Sequence, residues 1–91
     1  MEILKYKNLS IFSLDKELIG SFRLEKIYND SVNWREYFKN SDSNWISFYP
    51  FSEYHGGGQP YIINIGLIDF EKWISENVDF EKQIRTLIEN E

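Results

Sequence analysis

Ninety-one residues with a formal charge of −5 and no cysteine leave room for one domain, residues 1–91, and exclude disulfide staples, thiolate metal sites and cysteine nucleophiles. A lone histidine rules out a multi-histidine metal site within one chain, and no uninterrupted apolar run nears the roughly 20 residues of a membrane-spanning helix. The acidity is concentrated: residues 1–39 carry seven Lys or Arg against six Asp or Glu, residues 40–91 three against nine, which disfavours nucleic acid and anionic membranes as partners and favours a basic protein surface.

In chain order, Ile3 to Lys7 reads as a short edge strand. Leu9 to Leu14 follows as a second strand, with Leu9 and Ile11 on one face and Phe12 and Leu14 on the other. Asp15-Lys16-Glu17 is polar and short enough for a hairpin turn. Leu18 to Tyr28 then alternates, with Leu18, Gly20, Phe22 and Leu24 opposed to Ile19, Ser21, Arg23 and Glu25, which predicts a half-buried strand. Asn29-Asp30-Ser31 supplies short polar caps for a helix. That helix would carry Trp34, Tyr37 and Phe38 on one face and end at the polar run Asn40 to Asn44.

The most hydrophobic part of the chain comes next. Trp45, Ser47, Tyr49 and Phe51 alternate with Ile46 and Phe48, and Pro50, which has no N–H to donate, ends this arm or places it at an edge. After the loop Ser52 to Pro60, the segment Tyr61 to Ile68 is apolar on both faces, as a central strand should be. Asp69 caps a helix with Phe70, Trp73 and Ile74 in a stripe, and a second stripe contains Phe80, Ile84, Leu87 and Ile88. A single helix through both would put Asn77 and Glu81 in the middle of its apolar face, so the spacing predicts a break near Asn77 with Asp79 as a new cap. Asp30 and Trp34 stand 39 residues before Asp69 and Trp73, with apolar residues at matching offsets upstream, which suggests a duplicated ββα unit. The expected fold is α+β: a small antiparallel sheet of four to five strands with helices on one face, in the order ββαββα.

Motifs that carry chemistry are scarce. Gly56-Gly57-Gly58 permits backbone conformations closed to other residues and can aim N–H groups at an anion. No Lys or Arg lies between Lys39 and Lys72, however, and the Lys and Ser/Thr of a phosphate-binding P-loop are missing. His55-Gly56-Gly57-Gly58 resembles the oxyanion-hole tetrapeptide of lipases and esterases. The Gly-x-Ser-x-Gly elbow and a second histidine are absent and the chain is too short for that fold, so the resemblance implies nothing further. His55 beside Glu53 could serve as a general base; a solvated loop histidine is the plainer reading. Glu71, Glu76, Asp79 and Glu81 fit a solvated helix face. Trp34, Trp45 and Trp73 fit core anchors, and any of them found exposed becomes a contact candidate.

Twelve Ile, eight Asn and seven Lys against no Ala indicate AT-rich coding, as in a low-GC bacterium or a mobile element, which accounts for part of the 18% aromatic content. These features describe a small acidic non-enzymatic interaction protein of the cytosol, without cofactor, that binds and inhibits or regulates another protein. Immunity proteins, antitoxins and phage-encoded inhibitors share that profile, an analogy of type. The contact is expected at the aromatic hairpin, through Phe48, Tyr49, Phe51, Glu53, Tyr54, His55 and Tyr61, with Glu76 on an acidic rim. The alternative is a small-ligand or nucleotide-binding module using Gly56, Gly57, Gly58 and Gln59. Self-association through edge strands is a further expectation.

Overall fold

Segments that are apolar on both faces belong at the middle of a sheet, because only there are both faces covered. Two such segments form the centre of the computed structural model, which describes residues 2–51 and 59–90: β5 (Asn44–Phe48) and β6 (Tyr61–Gly66). Around them lie β1 (Glu2–Tyr6), β2 (Leu9–Ser13), β3 (Glu25–Asp30) and β4 (Arg35–Lys39). The six strands make one antiparallel sheet in the order β1-β2-β6-β5-β4-β3. Three helices complete the described residues: α1 (Lys16–Ser21), α2 (Phe70–Glu76) and α3 (Phe80–Glu89).

The period-two alternation of side chains splits the core in two. Ile11, Ile46, Phe48, Ile63 and Ile65 face α2 and α3, and pack with Trp73, Phe80 and Ile84. Phe12, Phe38, Trp45 and Ile62 face the other way and pack with Leu18 of α1 and with Leu24. The expected arrangement of four to five strands, ββαββα, with helices on one face, is therefore corrected to six strands with helices on both faces.

Two segments account for the difference. Leu18 to Tyr28, expected as one strand, is a helix, a tight cap and a strand. Leu18 and Phe22 are four residues apart as well as alternating, so the same positions suit a helical face. Asp15 decides between the two: its backbone is extended and its Oδ1 accepts from the Leu18 N–H at 2.8 Å, which starts a helix rather than a hairpin turn. The helix ends in a Schellman arrangement, Leu24 N–H to Ile19 C=O and Arg23 N–H to Gly20 C=O, with Arg23 at φ +53° where glycine is usual.

The second segment is Asn29 to Phe38, expected as a helix and found as the β3–β4 hairpin. Asp30 does accept from the Asn33 N–H, at 3.2 Å, but the chain then reverses instead of winding on. Tyr37 and Phe38, expected on one helical face, point to opposite faces of the sheet. Tyr37 stacks on Phe70 of α2 (4.9 Å between centroids, 8° between planes), while Phe38 sits opposite Trp45 in the second core. The 39-residue echo is corrected on the same ground: Asp30 opens a turn and Asp69 opens a helix.

The first hairpin meets the end of α2. Lys7 and Asn8, both at positive φ (49° and 70°), make the two-residue turn between β1 and β2. Lys7 Nζ donates to Asn77 Oδ1 at 2.8 Å, and Asn77 Nδ2 donates to the Trp73 carbonyl at 2.8 Å. One buried side chain thus closes α2 and anchors the first hairpin. Gly20 is the weak point of α1. It is exposed, nothing lies within 4 Å of a Cβ placed there, and its φ is not positive. Gly20→Ala should stabilise the fold by about 0.5–1 kcal/mol and raise the Tm by roughly 2–8 °C; a lower Tm by calorimetry would contradict a helical α1.

Candidate functional site

The end of the sheet where β3 turns into β4 carries the least ordinary residue of the described chain. Trp34 closes the Ser31–Trp34 turn with φ +58°. A left-handed backbone costs a bulky residue on the order of 1–2 kcal/mol, and glycine or asparagine is the usual occupant. The indole is nevertheless 52% exposed, whereas Trp45 and Trp73 are 1% and 3% exposed in the two cores. The neighbouring Val32 is 84% exposed.

Three strands place the surroundings of Trp34. Tyr49, just past β5, meets the indole edge-on at 6.0 Å with an interplanar angle of 86°. Glu36 of β4 lies beside them, its Oε2 accepting from Lys26 Nζ of β3 at 3.0 Å. Asn29 and Ser31 complete the lining of a cavity of about 280 Å³. That is just under the usual 300–1,000 Å³ range of small-molecule pockets and suits a single side chain or small head group. Two aromatic walls at right angles and one carboxylate give it the character of a cation-accepting slot.

The electrostatics around the hairpin are local. Hydrogen bonds from the Asn33 side chain, then from its backbone, hold the Asp30 carboxyl below its ordinary value. On the opposite face burial raises the Tyr37 phenol. There, too, Arg35 Nη2 binds Glu81 Oε1 of α3 at 2.9 Å, with its guanidinium 5.1 Å from the Phe80 ring centroid. Among the described residues no group of three or more His, Cys, Asp or Glu is placed to hold a metal ion, and no helix is long and apolar enough to cross a membrane.

The described members of the expected contact set are scattered. Phe48 is fully buried, its ring edge-on to Phe80 at 5.2 Å; it belongs to the core and offers a partner nothing. Tyr61 is half-buried, its centroid 6.4 Å from that of Phe48. Phe51 is half-buried, and Glu76 is exposed on α2. Gln59 is exposed, its Nε2 donating to the Pro60 carbonyl at 3.0 Å. Glu53, Tyr54, His55, Gly56, Gly57 and Gly58 lie outside the described residues. Among the described members of the expected set, only Tyr49 lines the slot. Asn29, Ser31 and Glu36 were missed because their stretch read as a helix, and Trp34 was a contact candidate only on the condition that it be exposed. The signal that could have found them is the cluster of turn formers Asn29-Asp30-Ser31 and Asn33 between two alternating runs. Comparison with protein-family models, curated proteins and solved structures gives no match to this chain.

Proposed function

We propose that the protein is a non-enzymatic binding protein that docks on a partner protein with a basic surface and so inhibits or regulates it, as immunity proteins, antitoxins and phage inhibitors do. The observation that carries this reading is Trp34: a tryptophan kept half in solvent on a backbone that opposes it. Strained conformations persist where function requires them, and tryptophan is the residue most enriched among binding hot spots. The charge of −5, drawn from the C-terminal half, supports a basic partner by steering it in before contact. A chain without cysteine suits a partner met in the reducing cytosol. The contact is centred on Trp34 and Tyr49 rather than on Phe48 and Tyr61.

The test uses the protein as bait in lysate of its native cell. One basic protein should be retained in stoichiometric amount, and retention should weaken as salt rises. Trp34→Ala, with an unchanged circular dichroism spectrum, should weaken that complex by at least about 30-fold, mainly through faster dissociation. Glu76→Lys should instead slow association at low salt. Recovery of no protein above background, or a complex indifferent to Trp34→Ala, rejects the reading.

A further inference from the structure

We infer that the slot lined by Asn29, Ser31, Trp34, Glu36 and Tyr49 receives an arginine side chain of the partner, an assignment that rests on the protein being a binder of a basic partner. The walls match a guanidinium in shape and charge. A planar delocalised cation stacks on an indole and is more weakly hydrated than an ammonium, so it sheds water more readily on entering a slot of about 280 Å³. Tyr49, at 86° to the indole, walls a second side. Glu36 supplies a carboxylate that can accept two parallel N–H donors, and the Asn29 side-chain carbonyl can accept a third.

Glu36 of the slot already pairs with a cation. Lys26 Nζ sits 3.0 Å from Glu36 Oε2, a contact made from within the same hairpin. Its two side chains are 52% and 32% exposed, so solvent screens the pair and it holds weakly. An incoming guanidinium gains the fork of hydrogen bonds and the aromatic face together, whereas Lys26 has only a single hydrogen bond to Glu36. Lys26 therefore acts as a displaceable placeholder that keeps Glu36 from standing uncompensated when no partner is bound. Arg35, the nearest arginine in sequence, is committed to Glu81 on the opposite face.

The three tryptophans make the test specific. Trp45 donates its indole N–H to Ser43 Oγ at 2.8 Å and is 1% exposed, and Trp73 is 3% exposed; only the Trp34 indole can report on the slot. The ¹⁵N-labelled protein is titrated with an acetylated, amidated Gly-Arg-Gly peptide and with its citrulline and lysine counterparts. The Trp34 indole N–H resonance should shift saturably with the arginine peptide while the other two stay in place. The citrulline peptide, with the same shape and no charge, should bind at least ten-fold more weakly, and the lysine peptide several-fold more weakly. Glu36→Gln should cost about ten-fold and Lys26→Gln should gain two- to five-fold. The assignment is overturned by the absence of a saturable shift, by citrulline matching arginine (ring stacking alone) or by lysine matching it (a charge without geometry). If any of these holds while the lysate partner is still lost on Trp34→Ala, the arginine assignment fails and the protein-binding reading stands.

Discussion

Phe80→Ala should destabilise the protein by roughly 3–5 kcal/mol. Phe80 is fully buried at the first residue of α3. Its ring meets Trp73 of α2 at 4.9 Å and Phe48 of β5 at 5.2 Å, both edge-to-face, and the Arg35 guanidinium of β4 also lies against it. One side chain therefore joins both C-terminal helices to two strands. Truncation removes the apolar transfer term and leaves a cavity whose walls are held by other contacts. A chain of this length has about 5–14 kcal/mol in all, so a fifth or more of the total would go, and the Tm should fall by roughly 12–40 °C. Phe80→Leu, which refills most of the volume, should cost under half as much. An unfolding free energy from urea titration of Phe80→Ala within about 1 kcal/mol of the parent would mean that α3 does not pack on the sheet as described.

Glu81→Gln should cost about 2–3 kcal/mol. Its carboxylate takes two donors from Arg35, Nη2 at 2.9 Å and Nε at 3.4 Å. The Arg35 side chain is only 11% exposed and that of Glu81 27%. Burial alone would lower the guanidinium's proton affinity. The hydrogen bonds and charge of Glu81, together with Tyr37 and Asp30, outweigh it, and the net direction is upward, so Arg35 remains a cation in a semi-buried place. Removing its counter-charge leaves that cation uncompensated, which costs about 3–5 kcal/mol in a fully buried pair; the residual exposure of Glu81 reduces it. The discriminating variant is the double one. Arg35→Met with Glu81→Leu replaces the pair by apolar volume and should recover most of the loss, with a coupling of about 1–2 kcal/mol in the double-mutant cycle. Additive losses would show that the two side chains contribute independently.

What could be read from residues alone divides sharply, and three aspartates show where. Asp15, Asp30 and Asp69 each accept from the backbone N–H three residues on, in Leu18, Asn33 and Lys72. The local chemistry is the same; two of these sites start helices and one turns a hairpin. After Asp69, Trp73 and Ile74 fall on a stripe that finds a core, so the cap and the periodicity agree. After Asp30, the backbone of residues 35–39 pairs on both sides, with β3 and β5, and Phe38 settles against Trp45. That pairing is a non-local gain which a window of ten residues does not contain. The central place of Tyr61–Gly66 was legible because an apolar run on both faces has one good placement; that of Asn44–Phe48, between β6 and β4, was left open by Pro50. The interruption of the C-terminal stripes at Asn77 was legible because two apolar faces out of register fit no single helix. The slot was not. Its residues come from β3, the turn, β4 and the end of β5, and only the hairpin brings them together. Trp34 looked like core because large aromatic residues in small domains usually are; its left-handed backbone, the feature that sets it apart, leaves no trace in residue type.

The position of β6 between β2 and β5 sets the order of events during synthesis. The meander of residues 25–48 is local in sequence and can form hydrogen-bonded ladders as soon as it leaves the ribosome. Its inner margin, Asn44–Phe48, then waits for Tyr61–Gly66 to arrive, and Leu9–Ser13 waits for the same strand. Pairings this distant along the chain make collapse slow relative to helical proteins of equal size. The nascent polypeptide therefore spends its most aggregation-prone interval with two apolar strand margins open and the strand that will seal both still being translated.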